Sequence, residues 1–142
     1  MAGKEIIPAD EMVPKLKAAV DALRDPDFVI RACTDAAGPL GIQAAIDRLC
    51  AYAEVGADVL FADALLTAAD IELVAKSTPK SLLVNMGLGV RSRPTTPLMH
   101  PKKLRRMGVA AVGYPRMLCT SALRGMMNTV DFFRYARRRP GS

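Results

Sequence analysis

The sequence is poor in the residues that build several common kinds of site. It has one histidine, no tryptophan and only 5% aromatic residues. Cys33, Cys50 and Cys119 are odd in number and form no Cys-x-x-Cys pair, which argues against a zinc site and a disulfide framework. No apolar run approaches the roughly 20 residues of a membrane span, and the first residues do not resemble a signal peptide. We therefore expect a cytoplasmic protein with reduced thiols and no membrane partner.

Acidic residues are almost absent from the last third of the chain. Residues 91–142 contain 12 Lys and Arg against the single acid Asp131, a net charge of +11. Residues 1–90 contain 8 basic and 13 acidic residues, a net charge of −5, and the two parts sum to the formal +6. Such asymmetry indicates either an anionic partner or an ordinary solvated face.

The apolar residues, in contrast, are numerous enough for one globular domain. They make up 51% of the 142 residues, against 24% charged residues. Helical spacing predicts helices at residues 10–24, 42–53, 67–76, 101–107 and 115–135, with Thr67 as an N-cap and Gly56 closing the second helix. Short apolar runs predict strands at residues 28–33, 59–62, 82–85 and 109–112. Residues 38–41 and 87–101 are predicted to be loops.

The order of these elements predicts the fold class. Strands that alternate with helices are typical of parallel β-α units in α/β proteins. Four such units form either an open sheet or half of an eight-stranded barrel, and periodicity alone does not choose between them. We expect one domain over residues 1–136 and a basic disordered tail over residues 137–142.

Five segments, taken in order, carry a resemblance to a known family. Residues 29–36 resemble an Ala-Arg-Thr-Asp-Ala strand, and residues 45–58 resemble the helix and turn that follow it. Residues 59–64, 82–86 and 108–115 resemble the next three strands. In this order they resemble strands five to eight of the isocitrate lyase/phosphoenolpyruvate mutase superfamily, the C-terminal half of a TIM (β/α)8 barrel.

The resemblance implies a chemistry for complete members of the superfamily. These include methylisocitrate lyase, oxaloacetate decarboxylase and carboxyvinyl-carboxyphosphonate phosphorylmutase. They make or break C–C or P–C bonds in small 2-oxo or hydroxy acids through an enolate, with Mg²⁺ as a Lewis acid. Barrel sites lie at the carboxyl ends of the strands, so the same ends are the places to inspect here.

The resemblance also implies that these 142 residues hold only part of such a site. Residues 2–4 resemble the segment just after the superfamily's Cys-Gly-His catalytic loop, and neither that loop nor the acidic metal motifs occur in the sequence. Asp35, Asp63 and Asp70 match none of the superfamily's metal ligands. We expect no metal or other cofactor in this chain and no complete catalytic set.

Three positions are candidate substrate-binding residues by resemblance. Asn85 matches a substrate-contacting Asn and is alternatively a vestige of that contact. Asp63 replaces a Glu, and Cys33 stands where an Arg is expected. Cys33 cannot make the forked contact of an Arg with a carboxylate, so it is alternatively a small buried residue. Arg31 lies one layer deeper on the same face, and facing a helix or snorkelling toward solvent is favoured over replacing the missing Arg.

The remaining candidates have structural interpretations. Asp63 is alternatively a capping or loop residue, and Thr34 and Asp35 are expected to hold the loop after their strand. The Val-Glu-Gly-Gly loop of the superfamily is replaced by residues 87–90, which lack the Glu. His100, which precedes Pro101, is expected to be merely exposed.

Three functions are compatible with these observations. The first is a fragment of an isocitrate lyase/phosphoenolpyruvate mutase-type enzyme, catalytically incomplete alone. The second is a non-enzymatic module that pairs with another copy of itself or with a complete homologue as a partner half-barrel. The third, a nucleic-acid-binding protein, is the weakest, because few aromatic residues accompany the basic ones and helical spacing assigns Phe133 to the core. The basic residues concerned are Lys102, Lys103, Arg105, Arg106, Arg134, Arg137, Arg138 and Arg139.

Overall fold

The computed structural model describes residues 5–87 and 96–138. Along the chain these form α1 (Ala9–Asp21), β1 (Arg31–Thr34), α2 (Ala37–Leu40), α3 (Ile42–Glu54), β2 (Val59–Ala62), α4 (Ala68–Ser77), β3 (Ser81–Asn85), α5 (Pro101–Arg106), β4 (Val109–Gly113) and α6 (Met117–Arg138). The strands form one parallel sheet in the order β1-β2-β3-β4. The expected α/β class, with four parallel strands and connecting helices, is therefore confirmed.

The core lies between one face of the sheet and helices α3, α4 and α5. Alternate strand residues point into it, as the period of two in a strand requires. The largest fully buried side chains belong to this layer and comprise Leu49, Tyr52, Leu60, Leu65, Ile71, Val74, Leu82, Val84, Met86 and Leu104. Helix α1 forms a further layer by packing on α3, where Gly56 (φ +104°) admits Val20. A Cβ at Gly56 would lie 3.1 Å from both Val20 methyl groups.

The first strand is shorter than predicted. Phe28 and Val29 are exposed and precede β1 because the turn at Asp25 extends to Phe28, whose N–H donates to the Asp25 carbonyl at 3.2 Å. The N–H of Ile30 then donates to the Asp58 carboxylate at 2.8 Å. Just before β1 begins, the backbone is therefore bonded to a side chain and not to the backbone of a neighbouring strand. The prediction of a strand from residue 28 was wrong, because a run of apolar residues does not reveal a turn that extends into it.

The loop predicted at residues 38–41 is instead mostly helical. Residues Ala37–Leu40 form the single turn α2, and the Leu40 N–H donates to the Ala36 carbonyl at 2.9 Å. Pro39 fits because the first N–H groups of a helix have no acceptor within it. Gly41, with φ +90°, then ends the turn.

The last helix departs most from the sequence prediction. Phe133 was assigned to the core, but it is 62% exposed, and Leu118 on the same side is 77% exposed. Among the described side chains of α6 none is buried. Periodicity correctly predicts an apolar face here, but it does not reveal whether this chain covers that face.

The tail prediction overlaps the end of this helix. Helix α6 continues to Arg138, and residues 139–142 lie outside the described residues. No helix in the described part of the chain is long and apolar enough to cross a bilayer.

Thr67 provides a direct test of how the sequence specifies a helix start. Its hydroxyl accepts from the Asp70 N–H at 3.0 Å, which confirms the predicted N-cap of α4. We expect Thr67→Ala to lower the free energy of unfolding by about 1 kcal/mol in urea titrations, because one helix-end donor loses its acceptor.

A matched control is Thr129→Ala within α6. The Thr129 hydroxyl donates to the Gly125 carbonyl inside the helix, and alanine is the better helix former. The control should cost little or nothing. Equal losses from both substitutions would contradict the capping role of Thr67.

Candidate functional site

One face of the sheet is not covered by the helices that form the core. We call it the open face and define it by Arg31 and Cys33 of β1, Phe61 of β2, Leu83 and Asn85 of β3, and Ala111 and Gly113 of β4. Arg31, Cys33 and Ala111 are exposed, Phe61 is buried, and the other three are half-buried. The strand register places Cys33, Phe61, Leu83 and Ala111 in one row across the sheet. The carboxyl ends of the strands lie just beyond this row, where parallel barrels hold their sites.

Cys33 lies on this open face and is exposed. Its alternative interpretation, a small buried residue, was therefore wrong. The buried residues of β1 are its neighbours Ala32 and Thr34, which point toward the helices. A thiol thus stands at the penultimate position of β1, on the face that borders the candidate site.

Arg31 shares the open face with Cys33, as predicted from the alternation of strand residues. It does not face a helix, but its exposed side chain agrees with the other part of the favoured interpretation, in which the guanidinium reaches toward solvent. Its guanidinium carbon lies 5.6 Å from the centre of the Phe61 ring, within cation–π distance. The guanidinium of Arg31 therefore lies over the ring of Phe61, which belongs to the row of residues just before the strand ends.

Asp63 directly follows β2 and is half-buried. Its N–H donates to the Thr34 carbonyl at 3.0 Å, so the backbone of Asp63 is tied to the end of β1. The structure thereby brings Asp63 and the end of the Cys33 strand to the same edge of the sheet, although they are far apart in sequence.

Asn85 is the last residue of β3 and lies on the open face opposite Gly113 of β4. The two strands remain paired at this point, because the Met86 N–H donates to the Gly113 carbonyl at 2.9 Å. The Asn85 Oδ1 atom lies so near Gly113 that a Cβ there would be 2.5 Å away. Sequence reasoning identified Asn85 but missed Gly113, which only the strand register reveals.

Two other candidates serve local structure. The Thr34 hydroxyl accepts from the Ala36 N–H at 3.2 Å, so it stabilises the turn after β1 as expected. His100 is exposed as expected, but its Nδ1 also accepts from the Lys102 N–H at 3.2 Å and caps α5. The signal for this cap was Pro101, since proline is common at the first helical position.

The described residues do not offer a fitting metal site. No three histidine, cysteine, aspartate or glutamate side chains come together anywhere in residues 5–87 and 96–138. Mg²⁺ requires near-octahedral oxygen ligation, commonly with one or two carboxylates and bound water. Residues 2–4 and 88–90, which were set against superfamily segments in the sequence analysis, lie outside the described residues.

Comparison with known proteins decides the family. The family model "Phosphoenolpyruvate phosphomutase" matches residues 1–134. This chain belongs to the phosphoenolpyruvate phosphomutase family. The predicted membership of the isocitrate lyase/phosphoenolpyruvate mutase superfamily is thereby confirmed.

Two curated relatives illustrate the similarity of this family member. It is 43% identical over 113 residues to "Probable 2-methylisocitrate lyase 1" of Corynebacterium glutamicum, an alignment that covers 80% of this chain and 36% of that protein. It is 37% identical over 139 residues to the 2-methylisocitrate lyase of Escherichia coli K12, covering 98% and 44% respectively. The chain thus spans less than half the length of these relatives.

A solved structure likewise matches this chain over less than half of its own length. The trigonal crystal form of 2,3-dimethylmalate lyase, described as a PEP mutase/isocitrate lyase superfamily member, matches with a TM-score of 0.83 at 26% identity. The match covers 99% of this chain and 46% of that one. The described sheet therefore corresponds to about half of a superfamily barrel.

The three cysteines provide a test of the site environment. Burial raises the pKa of the Cys50 thiol, and the Asp47 and Glu54 carboxylates raise it further. A raised pKa leaves less thiolate at a given pH, and the thiolate is the reactive form. At pH 7.5 we expect iodoacetamide to modify Cys50 several-fold more slowly than Cys33 and Cys119, measured by peptide mass spectrometry.

The pH dependence gives the control for this test. Because the shift is upward, raising the pH should increase the rate at Cys50 until its thiolate predominates. Modification of Cys50 before the two exposed cysteines at pH 7.5 would contradict the burial of its thiol.

Proposed function

We propose that this chain supplies one half of a lyase-type site that acts on a small 2-oxo or hydroxy acid. The observation that carries the proposal is the arrangement of Cys33, Asp63 and Asn85 at the carboxyl ends of three adjacent parallel strands. These side chains border an open face of the sheet. Enzymes of the matched family include lyases named for 2-methylisocitrate and 2,3-dimethylmalate.

In this proposal Asn85 is the principal substrate contact of the chain. Its carboxamide donates to a carboxylate or enolate oxygen of the ligand. Asp63 orients a hydroxyl or a water molecule, and Cys33 provides a neutral wall where an Arg is expected. Mg²⁺, which the family resemblance implies for complete members, would require carboxylates that the described residues do not bring together. We therefore assign this chain alone no metal-dependent step.

The first test measures metal-dependent turnover and Mg²⁺ binding by the isolated chain. We expect no cleavage of 2-methylisocitrate, isocitrate or oxaloacetate above background, and no Mg²⁺ binding at sub-millimolar concentration by calorimetry. The E. coli 2-methylisocitrate lyase, assayed in parallel, is the positive control for the first substrate. Turnover by this chain that is lost on chelation and restored by Mg²⁺ would contradict its catalytic incompleteness.

Co-expression distinguishes a working half-site from an inactive one. The N-terminal half of the E. coli relative, produced together with this chain, should form a soluble complex that binds pyruvate. Asn85→Ala should weaken that binding at least about tenfold, which corresponds to about 1.4 kcal/mol for a lost charge-assisted hydrogen bond. Lys80→Ala, an exposed change near the opposite ends of the strands, is the control.

Substitution of Cys33 tests whether the missing Arg is the only defect. We expect Cys33→Arg to restore no turnover in the isolated chain, because a carboxylate clamp alone does not stabilise the charge of an enolate. A gain of carboxylate binding without turnover agrees with this account. A gain of turnover would show that the catalytic set is complete without another half.

The second candidate function, pairing with another copy, is favoured by the uncovered surfaces. Strands β1 and β4 are the edges of the described sheet and carry no Lys or Pro that would blunt pairing. On α6 the apolar side chains of Leu118, Met126 and Phe133 are 77%, 60% and 62% exposed, and together such residues leave on the order of several hundred Å² of apolar surface in contact with water. At about 25 cal/mol per Å² this costs on the order of 10 kcal/mol, comparable to the stability of a domain.

We propose a second copy of this chain as the occupant of these surfaces. A copy carries both the −5 charge of residues 1–90 and the +11 charge of residues 91–142, so two copies offer complementary charges. We further propose that the protein works in the cytoplasm, where its cysteines stay reduced.

Assembly is tested by size-exclusion chromatography with light scattering at micromolar concentration. We expect a dimer or larger species. Met126→Arg, on the apolar side of α6, should weaken the assembly at least about tenfold, since a charge is then buried without a partner. Asn128→Arg adds the same charge on the opposite side of the helix and is the matched control. A folded, strictly monomeric chain with cooperative unfolding would contradict the proposal.

A further inference from the structure

Gly113 ends β4 in a backbone conformation that does not require glycine. The described glycines with positive φ are Gly41, Gly56 and Gly108, and Gly113 is not among them. Glycine within a strand loses more conformational freedom on folding than other residues and contributes no packing. The absence of a side chain at this position therefore has a cause outside the backbone of β4.

That cause is the side chain of Asn85. A Cβ placed on Gly113 would lie 2.5 Å from Asn85 Oδ1, a distance that real Cβ atoms essentially never show. The next atoms, Asn85 Cγ at 3.7 Å and the Val84 carbonyl oxygen at 3.9 Å, are at ordinary contact distances. Among the described residues around Gly113, only Asn85 excludes a side chain, through its carboxamide.

The position of Oδ1 also fixes the other half of the carboxamide. Because the group is planar, Nδ2 lies on the branch directed away from Gly113, on the open face. Within the described part of the chain the Asn85 side chain makes no hydrogen bond. Its two N–H donors are therefore available to an acceptor oxygen at the ends of the strands.

We propose that Gly113 is a positioning residue for ligand binding by Asn85. Its bare Cα lets the Asn85 carboxamide lie against β4, which directs the N–H donors toward a carboxylate or enolate oxygen. The inference rests on the proposed function for the identity of the ligand, but the geometric relation between the two residues does not depend on it. Residue 113 thereby determines whether Asn85 is oriented to bind.

The orientation is tested by nuclear magnetic resonance on the full chain. We expect Gly113→Ala to shift the side-chain NH₂ resonances of Asn85, because the new methyl group displaces Oδ1. The matched control is Gly125→Ala in α6, where an added Cβ meets no atom within 4 Å. Unchanged Asn85 resonances in Gly113→Ala would overturn the proposal.

A double-substitution cycle separates positioning from a merely structural need for glycine. Gly113→Ala should lower the urea midpoint of the chain, and the same change should cost nothing in the Asn85→Ala background, where the obstacle is gone. If Gly113→Ala does not fold, folding of the double variant supports the proposal equally. An equal loss in both backgrounds, or a double variant that also fails to fold, would overturn it.

Titration with pyruvate, a small 2-oxo acid, tests the ligand. The Asn85 NH₂ resonances of the unsubstituted chain should shift on addition of pyruvate, and this response should fall several-fold in Gly113→Ala but not in Gly125→Ala. Absence of any response in the unsubstituted chain, with the preceding results as expected, contradicts the proposed function and leaves the geometric role of Gly113 supported. An undiminished response in Gly113→Ala overturns the positioning role while supporting the ligand class.

Discussion

A parallel β-sheet is stable when both of its faces are covered, and the described helices of this chain cover one. Helices α3, α4 and α5 bury one side of β1 to β4, and the core residues belong to that layer. The other side keeps Arg31, Cys33 and the strand-end residues on an open face. Arg31 lies over Phe61, whose side chain is buried, but a single cation does not replace a packed layer across the whole sheet. The uncovered face of the sheet therefore affects the stability of the chain, its assembly and its proposed function.

The half-barrel arrangement supports the proposal that this chain supplies one half of a site. Parallel strands bring their carboxyl ends to one edge, so Cys33, Asp63 and Asn85 lie along that edge without being near in sequence. A complete barrel would present further strand ends opposite them. The described residues give a donor at Asn85 and a carboxylate at Asp63, and they bring together no cluster suited to a metal. Binding groups and metal-binding groups would thus come from different halves.

Much of this organisation could be predicted from the sequence, and the failures have physical causes. Strand β2 and the Thr67 cap are local features, and both were predicted correctly. The start of β1 depends on Asp58, which is distant in sequence, and the exposure of Phe133 depends on what α6 packs against. Cys33 and Asn85 were found by resemblance, and their roles stay proposals. Gly113 could not be found at all, because its close approach to Asn85 arises only from the β3–β4 register.

The central claim is that the open face of the sheet is covered by another chain in solution, and Cys33 reports on it directly. The rate at which iodoacetamide modifies Cys33, followed by mass spectrometry over a range of protein concentrations, measures how far another chain protects the open face. The account predicts that the rate at Cys33 falls as the concentration rises through the assembly range. Cys119 on α6 should become protected over the same range, and Cys50 in the core layer should respond little. A rate at Cys33 that stays fast and independent of concentration would contradict the account.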